Sequence, residues 1–393
     1  MDLNLSPEHR ALRETVREFA DAVVRPVAAA IDREHRFPKE VIAEASRLDL
    51  LGVLVPEAYG GAGLDHLAFA ICIEELARAC ASCAVIIDVH SSVGTEPILL
   101  FGTDEQRRAW LPRLASGELL GAFGLSEPGS GSDAAALQTR AERHGAEWVL
   151  NGTKTFITNA GEAGLYVVFA RTAPNQRTGS AAGVEAPRRG NAAGISAFLV
   201  PGDAAGLRVG QVFRKMGLNG SPTGELVLED VVVPASAMLH EEGKGFTVAM
   251  RALDAGRIGI SGQALGIAGA ALDEALRYVR ERSQFGRAVA ENQGVQWILA
   301  DGATRLTAAR QLAYQAAVLC TRGVPFTREA SIAKLFCTDT AMEIAIDAVQ
   351  LAGGYGYLQD FPFERHFRDA KALQIYEGSN QIQRMVIARH VLD

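Results

Sequence analysis

The chain has 393 residues, 48% hydrophobic and 22% charged, with a formal net charge of −7. That length exceeds one ordinary core, so two or three domains are expected, and the composition is that of a folded globular chain rather than a disordered or fibrous one. A net acidic chain has no general attraction for phosphate backbones or anionic lipid, which sets aside nucleic-acid and membrane-surface binding.

Helical periodicity opens the sequence. Ser6 can cap and Pro7 can open a helix in which Leu12, Val16, Phe19 and Val23 recur at three- and four-residue spacing, until Pro26 disturbs it. The period continues through Val41-Ile42 and over residues 66–78, on either side of a Pro56-Glu57-Ala58-Tyr59-Gly60-Gly61 loop. Residues 1–120 therefore read as an all-helical domain. The start lacks a basic stretch followed by an apolar one, and no uninterrupted apolar run reaches membrane-spanning length. A bacterial cytoplasmic location, or an organellar matrix after processing, is expected. The five cysteines, Cys72, Cys80, Cys83, Cys320 and Cys337, form neither a disulfide framework nor a complete zinc set, and read as small buried hydrophobes.

From about residue 121 the pattern changes to strands. Trp148-Val149-Leu150, Asn151-Gly152 and residues 153–158 predict a hairpin turning at Asn-Gly. β-Branched runs follow at 165–172, 195–200, 207–213 and 225–233. Residues 173–193 have no apolar period and predict a long surface loop. A β-barrel or sandwich is expected over 121–235. Beyond Pro234, long helical segments near 244–282, 291–322 and 326–352 suit an antiparallel four-helix bundle over 236–393. The expected class is α+β, in the order helical, β, helical.

Four segments carry candidate chemistry. Gly124-Leu125-Ser126-Glu127-Pro128-Gly129-Ser130-Gly131-Ser132-Asp133 can present N–H groups to a phosphate or a polarised ring, although an ordinary Gly/Ser loop has the same composition. Its Gly129-x-Gly131-x-x-Ala134 imitates a dinucleotide fingerprint, but no preceding parallel strand within a βαβ unit is expected, so a Rossmann site is rejected. Arg282-Ser283-Gln284-Phe285-Gly286 closes a long helix with a guanidinium suited to pyrophosphate, a place the helix dipole alone also favours. Gly353-Gly354-Tyr355-Gly356-Tyr357 permits close ligand approach, or simply ends a helix. Gln374-Ile375-Tyr376-Glu377-Gly378-Ser379-Asn380-Gln381-Ile382-Gln383-Arg384 sets one carboxylate beside a glycine; taken alone, such a Glu also reads as solvated or capping.

Together and in this order the segments closely resemble the acyl-CoA dehydrogenase family over essentially the whole chain, from Pro56-Glu57-x-Tyr59-Gly60-Gly61 to Ile387-Ala388-Arg389. The motifs at 124–133 and 376–384 carry the resemblance. It implies FAD, with Phe123, Leu125, Ser126 and Ser132 near the isoalloxazine or substrate and Phe156 and Thr158 beside them; many relatives carry Trp where this chain has Phe156. It implies that Arg282, Gln284, Phe285 and Gln293 hold the pyrophosphate and adenine of a neighbouring subunit's FAD. Further flavin contacts are implied for Gln350, Leu351, Gly353, Gly354, Ser379 and Gln381, within a homotetramer built as a dimer of dimers. Ser132, Asp254, Arg257, Tyr376, Gly378 and Arg389 match substrate contacts, though Asp254 and Arg257 also suit an intrahelical pair.

Glu377 matches the family's catalytic base in its short-, medium- and several branched-chain members. The implied reaction removes the α proton of an acyl-CoA thioester while the β hydride passes to flavin N5, giving a trans-2-enoyl-CoA. The base's own N–H and a flavin ribityl hydroxyl would serve the carbonyl oxygen. A second subgroup places its base where this chain has Gly256. Residues 81–95 contain no Arg or Lys for the second carboxylate of a glutaryl-type substrate. Similarity of residues 253–266 to the short-chain group points to a short straight or short branched acyl chain, with electron-transferring flavoprotein as acceptor. The rivals are an acyl-CoA oxidase or nitroalkane oxidase-like flavoenzyme, and a non-catalytic flavin-fold binding protein. Nitroalkane oxidases use Asp as base, and acyl-CoA oxidases usually add a C-terminal domain that a chain ending at Asp393 is expected to lack. No metal is expected.

Overall fold

Ser6 caps the first helix by accepting the His9 N–H, and Pro7 follows where no N–H is needed. The computed structural model describes residues 5–173 and 191–392, so the expected loop at 173–193 lies almost wholly outside the described residues. Helix α1 (Pro7–Phe19) runs into α2 (Arg25–Glu34) through one π turn, Ala20–Val24. Pro26 lies in the first turn of α2, so its missing N–H is absorbed by that widened turn rather than by a break. Then come α3 (Lys39–Arg47), α4 (His66–Ala79), α5 (Ala81–Val89), α6 (Glu96–Phe101) and α7 (Asp104–Ala115). A π turn at His90–Thr95 joins α5 to α6. The resulting stretch, Ala81–Phe101, is long and apolar enough to span a bilayer by length and composition, but 83% of its apolar window is buried inside the molecule, as in a core helix.

The sheet consists of β1 (Gly121–Gly124), β2 (Arg140–His144), β3 (Glu147–Thr158), β4 (Leu165–Arg171), β5 (Ile195–Pro201), β6 (Leu207–Val212), β7 (Thr223–Pro234) and β8 (Met238–Leu239). Their order is β6-β7-β3-β2-β4-β5-β8, with β1 beside β4. β4 is buried on both faces. Tyr166 and Val168 join Trp148, Leu150, Phe198 and Leu226 in one apolar interior, while Leu165, Val167 and Phe169 pack on the other side with Ile98, Leu111, Leu114 and Val248.

One expectation is corrected here and another holds. Asn151-Gly152 is not a hairpin turn: β3 runs straight through it, and the pair forms a bulge against β7, with the Asn151 amide bonded to Asp230. The hairpin turns instead at Gly145 (φ +63°), joining β2 to β3. Bulges and tight turns need the same Asn-Gly backbone freedom, so the dipeptide alone does not separate them. The glycine motif does follow a parallel strand, since β1 pairs with β4 in parallel. It leads into a single 3-10 turn, Ala134–Ala136, and then β2, so the helix of a dinucleotide-binding unit is missing.

The rest is helical: α8 (Gly245–Glu281), a short hairpin of β9 (Ser283–Gln284) and β10 (Arg287–Ala288), α9 (Gln293–Thr321), α10 (Thr327–Ala352), α11 (Phe363–Leu373) and α12 (Asn380–Leu392). α8 packs against α4, α9, α10 and α11. Its approach to α4 depends on bare backbone: a Cβ on Gly262 would stand 2.7 Å from the Ala70 carbonyl oxygen, and one on Gly266 2.3 Å from that of Glu74. Two buried carboxylates on α4 tie in further helices. Glu75 accepts from Arg17 of α1 at 2.8 and 2.9 Å, and Glu74 from Arg310 and Tyr314 of α9 at 2.8 and 2.6 Å.

Gly266→Ala forces a methyl group into the α4 backbone, which cannot swing aside as a side chain would. Overpacking of this kind costs about 1–3 kcal/mol, so the chemical-denaturation midpoint should fall. An unchanged midpoint would mean that the two helices slide apart freely.

Candidate active site

Glu377 lies in the turn between α11 and α12, in the left-handed region (φ +53°) and followed by Gly378 (φ +81°). A non-glycine residue holds that conformation only where its surroundings fix it. Lys334, buried on α10, donates its Nζ to the Gly378 carbonyl and to Asn380 Oδ1, both at 2.9 Å. The Gln383 amide donates to the Glu377 and Gly378 carbonyls at 3.1 and 2.8 Å. The turn's carbonyls are thereby held, while the Glu377 N–H has no backbone partner among the described residues.

The turn drives the carboxyl of Glu377 inward. Its Oε2 is buried without a hydrogen-bond partner, and a Cβ at Gly256 would stand 2.9 Å from it. Positions 256 and 377 thus address one point in space. Burial raises the Glu377 carboxyl to about 7, with Arg257 and Lys334 pulling the other way; burial in turn lowers Lys334 to about 7. Arg257 pairs with Asp254 at 2.6 Å within α8, and Thr327 donates to the other oxygen of Asp254 at 2.6 Å. Both members of the pair are buried, as an intrahelical pair would be. The Tyr376 hydroxyl donates to Gln263 Oε1, whose amide in turn donates to the Ala81 carbonyl at 2.9 Å.

The glycine motif after β1 is fastened to β3 by a buried ion pair. Lys154 donates to Glu127 at 2.7 Å and to the Leu125 carbonyl at 3.2 Å, and Glu127 also accepts the Gln138 and Thr139 N–H groups. The Thr155 N–H donates to the Ser126 carbonyl, which sets the motif alongside β3. Phe123 packs edge-on against Phe169 and borders the same apolar cluster as Val93 and Tyr376. Phe156 projects outward, 69% exposed with φ +57°, beside Phe213. Thr158 closes β3 half-buried, Leu125 is buried, Ser126 is half-buried and Ser132 is exposed.

A second locus is a cleft of about 520 Å³ lined by Tyr278, Arg282, Gln284, Val289, Leu358 and the turn from Leu351 to Tyr355. It gathers Arg282, Gln284, Leu351, Gly353 and Gly354. The Arg282 guanidinium lies over the Tyr355 ring, and a Cβ on either glycine would meet nothing within 4 Å. Phe285, Gln293 and Gln350 are exposed and outside the lining. None of the residues around Glu377 lines this cleft. Ser379 accepts the Ile382 and Gln383 N–H groups at the start of α12, and Gln381 is exposed beside it. Arg389 stands exposed near the far end of α12, about 13 Å along the helix from Asn380.

Sequence reasoning missed Asp88, Gln263, Lys334 and Gln383. Lys334 and Asp88 were detectable as lone charges inside apolar helical stretches; the two glutamines carried no signal, because a buried amide looks like any other in a sequence. It also missed that His66, Glu96 and Cys320 bring N, O and S atoms within 4.8 Å of one another, with His66 Nε2 2.9 Å from Glu96. Cys320 is half-buried, so the reading of all five cysteines as buried hydrophobes fails for it, whereas the other four are buried.

Comparison with known proteins establishes the family. Models of the N-terminal, middle and C-terminal domains of acyl-CoA dehydrogenase match residues 6–118, 122–231 and 243–392. An acyl-CoA dehydrogenase of Bacillus subtilis is 47% identical over 390 residues, 99% of each chain. The structure of butyryl-CoA dehydrogenase from Megasphaera elsdenii superposes with a TM-score of 0.95 at 41% identity, all of both chains covered. A chain from the structure described as that of the electron transferring flavoprotein of Acidaminococcus fermentans does so at 0.95 and 42%, again over both whole chains. With three domain models matched in sequence order and a full-length relative at 47% identity, this chain belongs to the acyl-CoA dehydrogenase family of FAD-dependent oxidoreductases.

Proposed function

We propose that the protein dehydrogenates a short straight or short branched acyl-CoA to its trans-2-enoyl-CoA, with Glu377 as the base that takes the α proton. The observation that carries this reading is the buried, unpartnered carboxyl oxygen of Glu377 in a fixed left-handed turn. A thioester α proton is weakly acidic, so its removal calls for a desolvated base together with donors at the carbonyl oxygen. Desolvation supplies the first, and the Glu377 N–H, left free by the turn, suits the second. Bound FAD would supply the acceptor for the β hydride.

The residues present fit that group. Glycines without neighbours at 129 and 131 leave the motif after β1 open to a ring or phosphate, Phe156 offers an exposed aromatic face, and Arg282 with Gly353 and Gly354 offers a cation beside bare backbone. The Arg282 cleft shares no lining residue with the Glu377 locus, which favours an FAD shared between subunits, within the homotetramer that the family resemblance implies. Electron-transferring flavoprotein is the electron acceptor in this reading, and the setting is the bacterial cytoplasm.

Anaerobic addition of butyryl-CoA should bleach the flavin absorbance. Glu377→Gln should keep its FAD yet lose on the order of 10²–10⁴-fold in the reduction rate; rapid bleaching by that variant would remove Glu377 from the role. Absence of bleaching by any short acyl-CoA in the wild type would favour a binding protein or an oxidase acting elsewhere.

Only the ionised carboxylate can accept the proton. With Glu377 raised to about 7, the reduction rate should fall roughly tenfold per pH unit below that value and level off above it. A flat profile from pH 5 to 9 contradicts this assignment.

Lys334→Met removes one of the two cations that lower the Glu377 pKa, so the inflection should move to higher pH. It also strips a donor from Gly378 and Asn380, which costs about 1–3 kcal/mol of stability. A loss of stability with an unmoved inflection would make Lys334 a purely structural residue.

A further inference from the structure

His66 opens α4, Glu96 opens α6 and Cys320 lies in the last turn of α9. The fold brings these three unlike side chains together. One imidazole nitrogen, one carboxyl oxygen and one sulfur lie within 4.8 Å of one another, and His66 Nε2 stands 2.9 Å from Glu96 Oε1. The start of α4 and the end of α9 are fastened beside them, since the His66 N–H donates to Thr321 Oγ1 at 3.2 Å. None of the three lines the Arg282 cleft, and the reading of Glu377 as a base uses none of them.

An ion pair between His66 and Glu96 accounts for the 2.9 Å contact but leaves two features without a reason. Glu96 is 4% exposed, and its second oxygen, Oε2, is buried without a hydrogen-bond partner. A buried carboxylate oxygen in that state costs free energy, which a cation within reach would offset. Cys320 differs from the other four cysteines in being only half-buried, and the His66 side chain keeps 19% of its surface. The cluster therefore has a buried floor at Glu96 and an edge open to water at its other two members, so an ion can enter without any opening of the core.

We propose that His66, Glu96 and Cys320 form a binding site for a divalent transition ion of borderline softness, Zn2+, with water as a further ligand. Each donor type is one that zinc takes, at about 2.0–2.3 Å, and a tetrahedral ion at those distances sets its ligand atoms about 3.3–3.8 Å apart. The observed separations bracket that range: 2.9 Å on the His66–Glu96 edge, which the ion widens, and at most 4.8 Å elsewhere, which it draws in. Side-chain adjustments of about 1 Å suffice. Sulfur and imidazole together select against Mg2+ and Ca2+, which prefer oxygen shells. Zinc takes Cys320 as thiolate and His66 as neutral imidazole, the protons they give up pass to solvent, and no electron moves. With the ion bound, Glu96 Oε2 gains a cation beside it. The site joins α4 and α6 of the N-terminal domain to α9 of the C-terminal bundle, a cross-link that the unfolded chain lacks.

The test uses the FAD-loaded full-length protein, stripped of adventitious metal by a chelator and dialysed. No acyl-CoA is present, so the result is independent of the dehydrogenase reading. The wild type should hold one Zn2+ per chain in equilibrium dialysis, undisturbed by excess Mg2+, and its Tm should climb with Zn2+ concentration. Co2+ in place of zinc should give the strong visible bands of a four-coordinate thiolate complex, in the red where oxidised flavin does not absorb. Cys320→Ser should abolish those bands and weaken Zn2+ binding by more than about 100-fold, beyond the cost of losing a residue that only supports a ligand. Glu96→Gln should weaken it as well while FAD is retained. In the wild type, Zn2+ should shield Cys320 from alkylation by iodoacetamide, a readout that needs no variant. Three results each overturn the proposal: zinc bound equally well by Cys320→Ser, only the weak bands of six-coordinate cobalt, or Cys320 alkylated at one rate with and without Zn2+.

Discussion

The site depends on one contact, the carboxyl of Glu377 against the bare backbone of Gly256. A carboxylate taken out of water is expensive unless paired, and Glu377 is neither paired nor fully exposed. It is kept there by a turn whose carbonyls are held from α10 by Lys334 and from α12 by Gln383. The missing side chain at 256 supplies the room. α8 is therefore the reference surface of the molecule: its glycines admit α4 at 262 and 266 and the carboxyls of Glu377 and Asp88 at 256 and 259. What looks like weak helix chemistry in a 37-residue segment is the means by which neighbours approach its axis closely.

Rigidity is distributed to suit that contact. On the β side, the Glu127–Lys154 pair locks the motif after β1 to β3, with Lys154 wholly buried and its ammonium lowered to about 8 by burial against the pull of Glu127. Breaking such a pair strands a buried charge, so the motif and the strand move as one body. The helical side has its own lock in Lys334, Asn380 and Asp339. Two preorganised shells thus face each other across the cluster shared by Phe123, Val93 and Tyr376. Preorganisation of this kind lets a site stabilise developing charge without rearranging at the moment of reaction.

Most of the architecture was legible because it is written in local periods. The long helices fall within a residue or two of their expected ends, since Pro, Gly and capping residues bound them, and β4 and β5 were marked by continuous β-branched runs. Asn151-Gly152 misled because bulge and hairpin share backbone chemistry, and β1 and β2 were missed because four- and five-residue strands hold too little pattern. In the site, Glu377 was legible only through its motif; nothing local distinguishes a buried Glu from a solvated one. Its burial comes from Gly256, 121 positions earlier in the sequence and adjacent only in the fold. Gln383 was hidden for the same reason, because its partners are backbone carbonyls that every residue carries.

The relation between positions 256 and 377 also limits how such a site can change. Since a Cβ at 256 would meet the Glu377 carboxyl at 2.9 Å, a carboxylate brought in on α8 needs the space Glu377 fills, and the two would repel at close range in a dry pocket. A carboxylate fits from either element but not comfortably from both. Asp88 avoids this conflict because its carboxyl lies against Gly259, three positions further along α8, and burial together with the Glu377 charge pushes it well above the ordinary carboxyl range. Two carboxyls coexist along one face of α8 because their environments separate their proton affinities: one is ready to take a proton near neutrality, the other keeps its own.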